Sequence, residues 1–147
     1  MTQALPPTYF LVAVILAVAL HLAFPVLRFW TVPLSLVGIV PLILGIVLNL
    51  TADHRFKQYQ TTVKPFEQSA SLVTEFPFSI SRNPMYLGLT LMLLGVALLL
   101  GSVSSLVPVL LFPYVMNYVF IRQEEQQLAA TFGTDWERYS SRVRRWI

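Results

Sequence analysis

Apolar positions run along this chain in blocks too long for the interior of a small water-soluble domain. No Asp, Glu, Lys or Arg precedes Arg28. Tyr9–Val26 is therefore a candidate span, since a membrane-crossing helix needs about 20 mainly apolar residues. Ala17-Val18-Ala19 has the small-x-small look of a signal cleavage site. A secretory leader opens with basic residues, however, and none lies ahead of this run, so a retained span is expected. A second block begins at Trp30 and Pro33 and stays uncharged until Asp53. Pro33 suits a first helical turn, and Pro41 is tolerable within a membrane helix.

Residues 53–82 are polar and irregular in pattern. The next uncharged block, Asn83 to Ile121, has 39 residues. A single helix of that length would reach about 58 Å, nearly twice a hydrocarbon core of about 30 Å. It must turn back, and Gly101-Ser102-Val103-Ser104-Ser105 is the natural turn, giving a hairpin of Met85–Leu100 and Leu106–Ile121. In the tail, Leu128, Phe132, Trp136, Tyr139, Val143 and Trp146 recur at spacings of three and four, as on one helix face. Gly133-Thr134-Asp135 interrupts that face, with Thr134 or Asp135 as an N-cap. The closing Arg-Val-Arg-Arg-Trp-Ile joins cations to an interfacial aromatic, as in a helix lying on a membrane surface.

The predicted fold is thus an all-α integral membrane protein with about four transmembrane helices. The last two form a hairpin, and an interfacial helix ends the chain. The chain reads as one domain: two N-terminal spans (1–52), a loop (53–82), the hairpin (83–121) and a tail (122–147). An even span count puts both termini and the central loop on one side. Arg55, Lys57, Lys64, Arg82, Arg122, Arg138, Arg142, Arg144 and Arg145 gather there, against Arg28 alone on the other. By the positive-inside rule the termini, loop and tail are cytoplasmic.

Composition supports this picture. The chain is 56% hydrophobic and 12% charged, against about 25% charged in soluble domains. The net charge of +3 lies beside apolar spans, which points to anionic headgroups rather than nucleic acid. The absence of cysteine rules out disulfides and a thiolate nucleophile. With only His21 and His54 available, no metal centre is expected and the histidines read as packing or interfacial residues.

Two polar clusters stand at the expected cytoplasmic boundary. Ser81-Arg82-Asn83-Pro84-Met85-Tyr86-Leu87-Gly88 starts the third span. Pro84 fits a first turn, Asn83 can cap it, and the helix N-terminus favours an anionic group. Tyr86 carries a hydroxyl, and Gly88 leaves room for a close approach. Arg122-Gln123-Glu124-Glu125 ends the fourth span. Each cluster alone also reads as ordinary anchoring and capping, with Arg122 snorkelling. The antiparallel hairpin brings them to the same end, where a cation, an amide, a phenol and two carboxylates converge. The apolar groups in Thr61-Thr62-Val63-Lys64-Pro65-Phe66 and Leu72-Val73-Thr74 suggest that the loop folds over this pocket rather than trailing as a linker.

In this order, Leu72-Val73-Thr74, Arg82-Asn83-Pro84-Met85-Tyr86-Leu87-Gly88, Glu124-Glu125, Leu128, Phe132-Gly133, Tyr139 and Val143-Arg144-Arg145-Trp146-Ile147 resemble the membrane methyltransferase family that includes isoprenylcysteine carboxyl methyltransferases. Phospholipid N-methyltransferases are more distant relatives. The likeness covers about Thr61 to Ile147. It implies S-adenosylmethionine as cofactor, bound without a Rossmann sheet, in a cytoplasmic pocket closed by the loop and tail. By position it implies cofactor contacts at Ala70, Ser71, Leu72, Val73, Phe78, Asn83, Pro84, Met85, Tyr86 and Glu124. Arg122 falls near a substrate-facing arginine, and Arg122 and Glu125 are the catalytic candidates. The implied function is methyl transfer to a lipid-like or prenylated acceptor, as in isoprenylcysteine carboxyl O-methylation. The alternatives are phospholipid amine N-methylation or a catalytically silent binding or assembly module. Three departures from the family pattern stand out: Asn83 for histidine, Phe76 for glycine and Ser79 for a basic residue. A small transporter is disfavoured because no charge lies inside a span.

Overall fold

A computed structural model of the chain describes residues 5–28, 31–61 and 69–147. Among these, every regular element is helical, with one isolated bridge pairing Arg28 and Ser102. Helix α1 is Pro6–Ala23, started by prolines in its first turn where no N–H is needed. Helix α2 is Ile39–Gln58 and continues a 3₁₀ segment, Leu34–Gly38. Pro41 therefore falls in the first turn of α2 and breaks nothing. Helix α3 is Pro84–Leu100, and α4 is Val107–Met116 after a 3₁₀ turn at Val103–Leu106. A π segment, Asn117–Ile121, joins α4 without interruption to α5, Arg122–Phe132, and α6 is Thr134–Arg142.

Among the described residues, three stretches are long and apolar enough to cross a membrane: Pro6–Ala23, Leu34–Gln58 and the continuous Val103–Phe132. Helix α3 is apolar but has only 17 residues, about 25 Å. Ile15, Leu50 and Leu110 expose more than half of their surface. A large apolar exterior of this kind requires lipid around it.

Helix α3 is the most enclosed, with Leu93 and Ala97 wholly buried among α1, α2 and α4. Its partnership with α2 rests on glycines. A Cβ on Gly95 would stand 2.6 Å from the Gly38 carbonyl oxygen, and one on Gly88 would stand 2.8 Å from that of Gly45. Small residues let two backbones approach where lipid gives no hydrophobic drive for association. The room at Gly88 is thus filled by α2, through Gly45 and the Asn49 side chain.

The hairpin turn is where expected. Gly101 ends α3 with φ of 73°, a left-handed conformation that glycine adopts freely. The Ser105 hydroxyl donates to the Ala97 carbonyl at 3.0 Å, which also accepts from the Gly101 N–H. His21 Nδ1 lies 2.9 Å from the Ser102 hydroxyl, and Val103 N–H donates to the Val26 carbonyl at 3.1 Å. These bonds tie the end of α1 to the turn.

Several boundaries differ from expectation. The first span begins at Pro6 rather than Tyr9. Helix α2 runs five residues past Asp53, so the supposed loop starts as helix. Arg122 does not begin a separate tail, because Arg, Gln, Glu, Leu and Ala in 122–130 are good helix formers and nothing stops the fourth span there. Gly133, at φ 50°, makes the break before α6, and neither Thr134 nor Asp135 caps it with a side chain. The tail's apolar face turns inward instead of lying on lipid. Trp136 and Tyr139 are buried against Ala52, Val73 and Phe78, with Leu128, Phe132 and Val143 around them. Trp146 packs on the core of the spans.

Candidate functional site

A cavity of about 330 Å³ lies at the end of the bundle where α3 begins and α5 leaves the hairpin, within the range of small-molecule sites. Its mouth includes exposed Leu5, Pro7 and Thr131, and its inner wall includes buried Val73, Phe78, Asn83, Pro84 and Tyr86. Trp136 and Tyr139 of α6 close one side. The wall is largely apolar and aromatic, with few polar groups.

The central polar contact joins the hairpin's two arms. Tyr86 Oη donates to Glu124 Oε1 at 2.6 Å. Tyr86 stacks on Phe120, whose ring centroid is 6.1 Å away, and Phe120 is buried. The phenol is therefore fixed in direction.

Glu125, beside it, faces a different way. Arg82 Nη2 lies 3.3 Å from its Oε1, and the Arg145 guanidinium grips both its oxygens. A bidentate pair of this kind is directional as well as attractive. The Arg145 Nη1 also donates to Asn117 Oδ1 at 3.0 Å, so the π segment supplies an acceptor. Bonding to Glu125 holds the Arg145 guanidinium above its ordinary value.

The Arg145 backbone completes a strap. Its carbonyl accepts from the Ser81 hydroxyl at 3.2 Å and from Asn83 Nδ2 at 3.1 Å. The Arg144 carbonyl accepts from Arg82 N–H at 3.0 Å. Asn83 stands at the N-cap position of α3, but its side chain makes no cap bond. Its amide is committed to the C-terminal segment instead. The Tyr139 hydroxyl donates to the Phe78 carbonyl at 2.7 Å, pinning α6 to the loop. Burial, partly opposed by Arg82, holds this phenol above its usual value.

Of the residues singled out by sequence, Ser71, Leu72, Val73, Phe78, Asn83, Pro84, Met85, Tyr86 and Glu124 line the cavity. Ala70 does not; it is exposed, and its N–H donates to Thr61 Oγ1. Glu125 is not on the cavity wall and is shared between the guanidinium groups of Arg82 and Arg145. Arg122 is exposed and stacks on Tyr118, 5.3 Å from the ring centroid. It is two residues before Glu124, about 200° around the helix, so the two cannot point into one cavity. Phe76 has no positive φ, so the backbone does not call for glycine there, and its carbonyl accepts from Arg55 Nε at 3.0 Å. Part of the 61–66 segment lies outside the described residues. Sequence reasoning missed Asn49, Phe56, Gln127 and Thr131, which also line the cavity. For Gln127 and Thr131 a signal existed, since they follow Glu124 at helical spacings of three and seven.

Comparison with known proteins identifies the scaffold. A sequence model of the phospholipid methyltransferase family matches residues 33–135. The chain belongs to that family. It is an integral membrane protein of a methyltransferase class, and its cavity sits where the family match brings α2, α3 and α5 together. An uncharacterized protein of Haemophilus influenzae is 41% identical over 63 residues, 43% of this chain and the whole of that protein. The phosphatidyl-N-methylethanolamine N-methyltransferase of Saccharomyces cerevisiae is 49% identical over 61 residues, 42% of this chain and 29% of the yeast enzyme. The likeness thus spans under a third of the yeast enzyme's length. No solved structure matches.

Proposed function

We propose that this protein transfers a methyl group from S-adenosylmethionine to the headgroup amine of a phospholipid at the cytoplasmic membrane face. Two features support the reading: membership of the phospholipid methyltransferase family, and a largely apolar cavity in which the polar pair Tyr86 and Glu124 meets. The likeness to the yeast phospholipid enzyme favours an amine acceptor over the prenylated carboxylate that the sequence motifs first suggested.

The topology in this reading has four spans, α3 being the short one accommodated by local thinning. The bias of basic residues supports a cytoplasmic location for both termini and the cavity.

When bound, S-adenosylmethionine supplies a methyl group on an activated sulfonium. The donor set fits such a ligand: a carboxylate for its ammonium, and Phe56, Phe78 and Trp136 as apolar and aromatic surface. In this role Ser71, Leu72, Val73, Phe78, Asn83, Pro84, Met85 and Tyr86 shape the cofactor side, and Glu124 is its acceptor group. Tyr86 holds the Glu124 carboxylate in one direction. The loop and α6 exclude water, which keeps the acceptor and methyl group in a near-attack arrangement. The headgroup ammonium would have to lose a proton to solvent before its nitrogen could accept the methyl group, and the sulfur would keep the electron pair of the bond to that methyl and leave as the neutral thioether. The exposed Leu5, Pro7 and Thr131 at the mouth lie where a lipid headgroup would come in.

The test is methyl transfer by purified protein into vesicles of phosphatidylethanolamine and its monomethyl form, using labelled cofactor. Label in the phospholipid headgroup is expected. Label only in a prenylcysteine acceptor, or none in either, would overturn the reading.

A further inference from the structure

The end of the chain returns to the bilayer. Helix α5 continues from Arg122, the first charge after the uncharged run, to Phe132, about 15 Å at 1.5 Å per residue. Helix α6 then runs back. Three residues past its end, Arg145 Nη1 donates to Asn117 Oδ1 at 3.0 Å, and Trp146 packs on the core that contains Phe120 and Ile121. Asn117–Ile121 lies before Arg122, within the membrane-length stretch Val103–Phe132. Residues 145–147 therefore sit at the edge of the hydrocarbon, where Ile147 is 72% exposed. The backbone of Arg142 and Arg144 is within three residues, or about 11 Å, of that edge. The headgroup layer is about 5–8 Å thick, so these two side chains fall in it or at its surface. Both are exposed, and neither makes an ion pair with a described residue. Charge is also sorted along α6. Asp135 and Glu137 are in its first turn, away from the bilayer, and Arg142 is in its last turn, towards it. Neither arginine lines the cavity.

We propose that Arg142 and Arg144 dock the C-terminal segment on anionic phospholipid headgroups of the adjoining leaflet, so that the charge of the membrane surface tightens the strap over the loop. The strap is the backbone of Arg144 and Arg145, which accepts from Arg82 N–H, the Ser81 hydroxyl and Asn83 Nδ2. Lipid phosphates gathered on the two outward side chains hold that backbone in place from the other side. A guanidinium is well matched to a phosphate, and cations beside an anionic surface add to one another within a Debye length. An acidic protein is the other class of partner. The depth of Trp146 and the exposure of Ile147 favour lipid, because they place the patch against the bilayer itself. The inference does not depend on which methyl acceptor the cavity takes.

The experiment is hydrogen exchange on the full chain in lipid discs, of phosphatidylcholine alone or of phosphatidylcholine mixed with phosphatidylglycerol. No turnover is needed, so the outcome is separate from that of the methyl-transfer assay. The Arg82 amide is the reporter, since it is bonded to the Arg144 carbonyl. Its exchange should slow by about tenfold or more in the mixed discs, the worth of two arginines at a charged surface. The difference should collapse in about 1 M salt, where the Debye length is about 3 Å. The double variant Arg142→Gln, Arg144→Gln keeps the backbone bonds of the strap and should exchange alike in both discs. Equal exchange by wild type in the two discs would overturn the proposal, a result that needs no variant to fold. So would a difference that survives in the double variant or in high salt. If wild type responds to soluble polyglutamate and not to phosphatidylglycerol, the cations face an acidic protein and the assignment to lipid is wrong.

Discussion

Tyr86 and Glu124 lie 38 residues apart in sequence, yet the phenol donates to the carboxylate at 2.6 Å. That bond crosses the hairpin at its open end, beside the cavity. It separates two roles that sequence motifs run together: fixing the arms of the hairpin, and presenting a negative charge to a ligand.

Glu124→Gln keeps an acceptor for the phenol but removes the charge. Thermal stability in detergent should stay close to wild type. Affinity for S-adenosylhomocysteine should fall about tenfold or more, since a hydrogen bond to a charged group is worth about 1.5–3 kcal/mol. Unchanged affinity in calorimetry would mean that the carboxylate serves only Tyr86.

Asn83→Asp tests whether this residue is a cap. A helix start tolerates Asp as well as Asn. The Asn83 amide, however, donates to the Arg145 carbonyl, and an Asp would set a carboxylate against that oxygen. The expected loss is about 1–3 kcal/mol of stability, read as a lower melting temperature. A variant as stable as wild type would argue for the cap.

Removing residues 143–147 should loosen the whole cavity wall. The deletion frees Ser81, Asn83 and Arg82 from their bonds to the tail and leaves Glu125 with one guanidinium fewer. Hydrogen exchange in the 69–83 segment should rise while the centre of α3 stays protected. Unaltered exchange in that segment would show that the strap holds nothing.

Gly88→Ala should destabilise the α2–α3 seam by about 1–3 kcal/mol, the usual effect of overpacking. Its new methyl would meet the Asn49 side chain and the Gly45 carbonyl. Adding Asn49→Ala should recover part of the loss, because only the side-chain obstacle is removed. Full stability in the single variant would contradict the close approach.

Tyr139 sets an alkaline limit. Its phenol is held above the ordinary value by burial, so it binds its proton more tightly folded than unfolded. Its contribution is complete below about pH 10, the usual phenol value, and declines as pH rises further through the folded value. Melting temperature measured from pH 8 to 11 should fall in its upper range, and less so in Tyr139→Phe, which starts lower because the bond to Phe78 is gone. Equal alkaline slopes would exclude Tyr139 as the cause.

The apolar blocks, the turn at Gly101 and the meeting of Asn83–Tyr86 with Glu124 were legible in the linear chain. Lipid is a solvent that forces backbone polar groups into helices, and a 39-residue uncharged run has one economical way to fit it. Once the run folds back, residues at its two ends must meet. Helix direction at single residues was a different matter. Arg122 and Glu125 looked like site residues because they adjoin Glu124, but successive residues diverge by about 100° around a helix. That rotation sends Arg122 onto Tyr118 and Glu125 into the guanidinium pair. No local pattern announced that Gly88 serves Gly45 and Asn49, or that Asn83 is answered by Arg145, since those partners are 43 or fewer and 62 residues away respectively. By itself the sequence determined which segments are apolar helix and which end of the hairpin carries polar chemistry, because both follow from solvent and chain length. The tertiary structure alone decided which of those polar groups face the cavity, because that depends on helix rotation and on contacts between segments far apart in the chain.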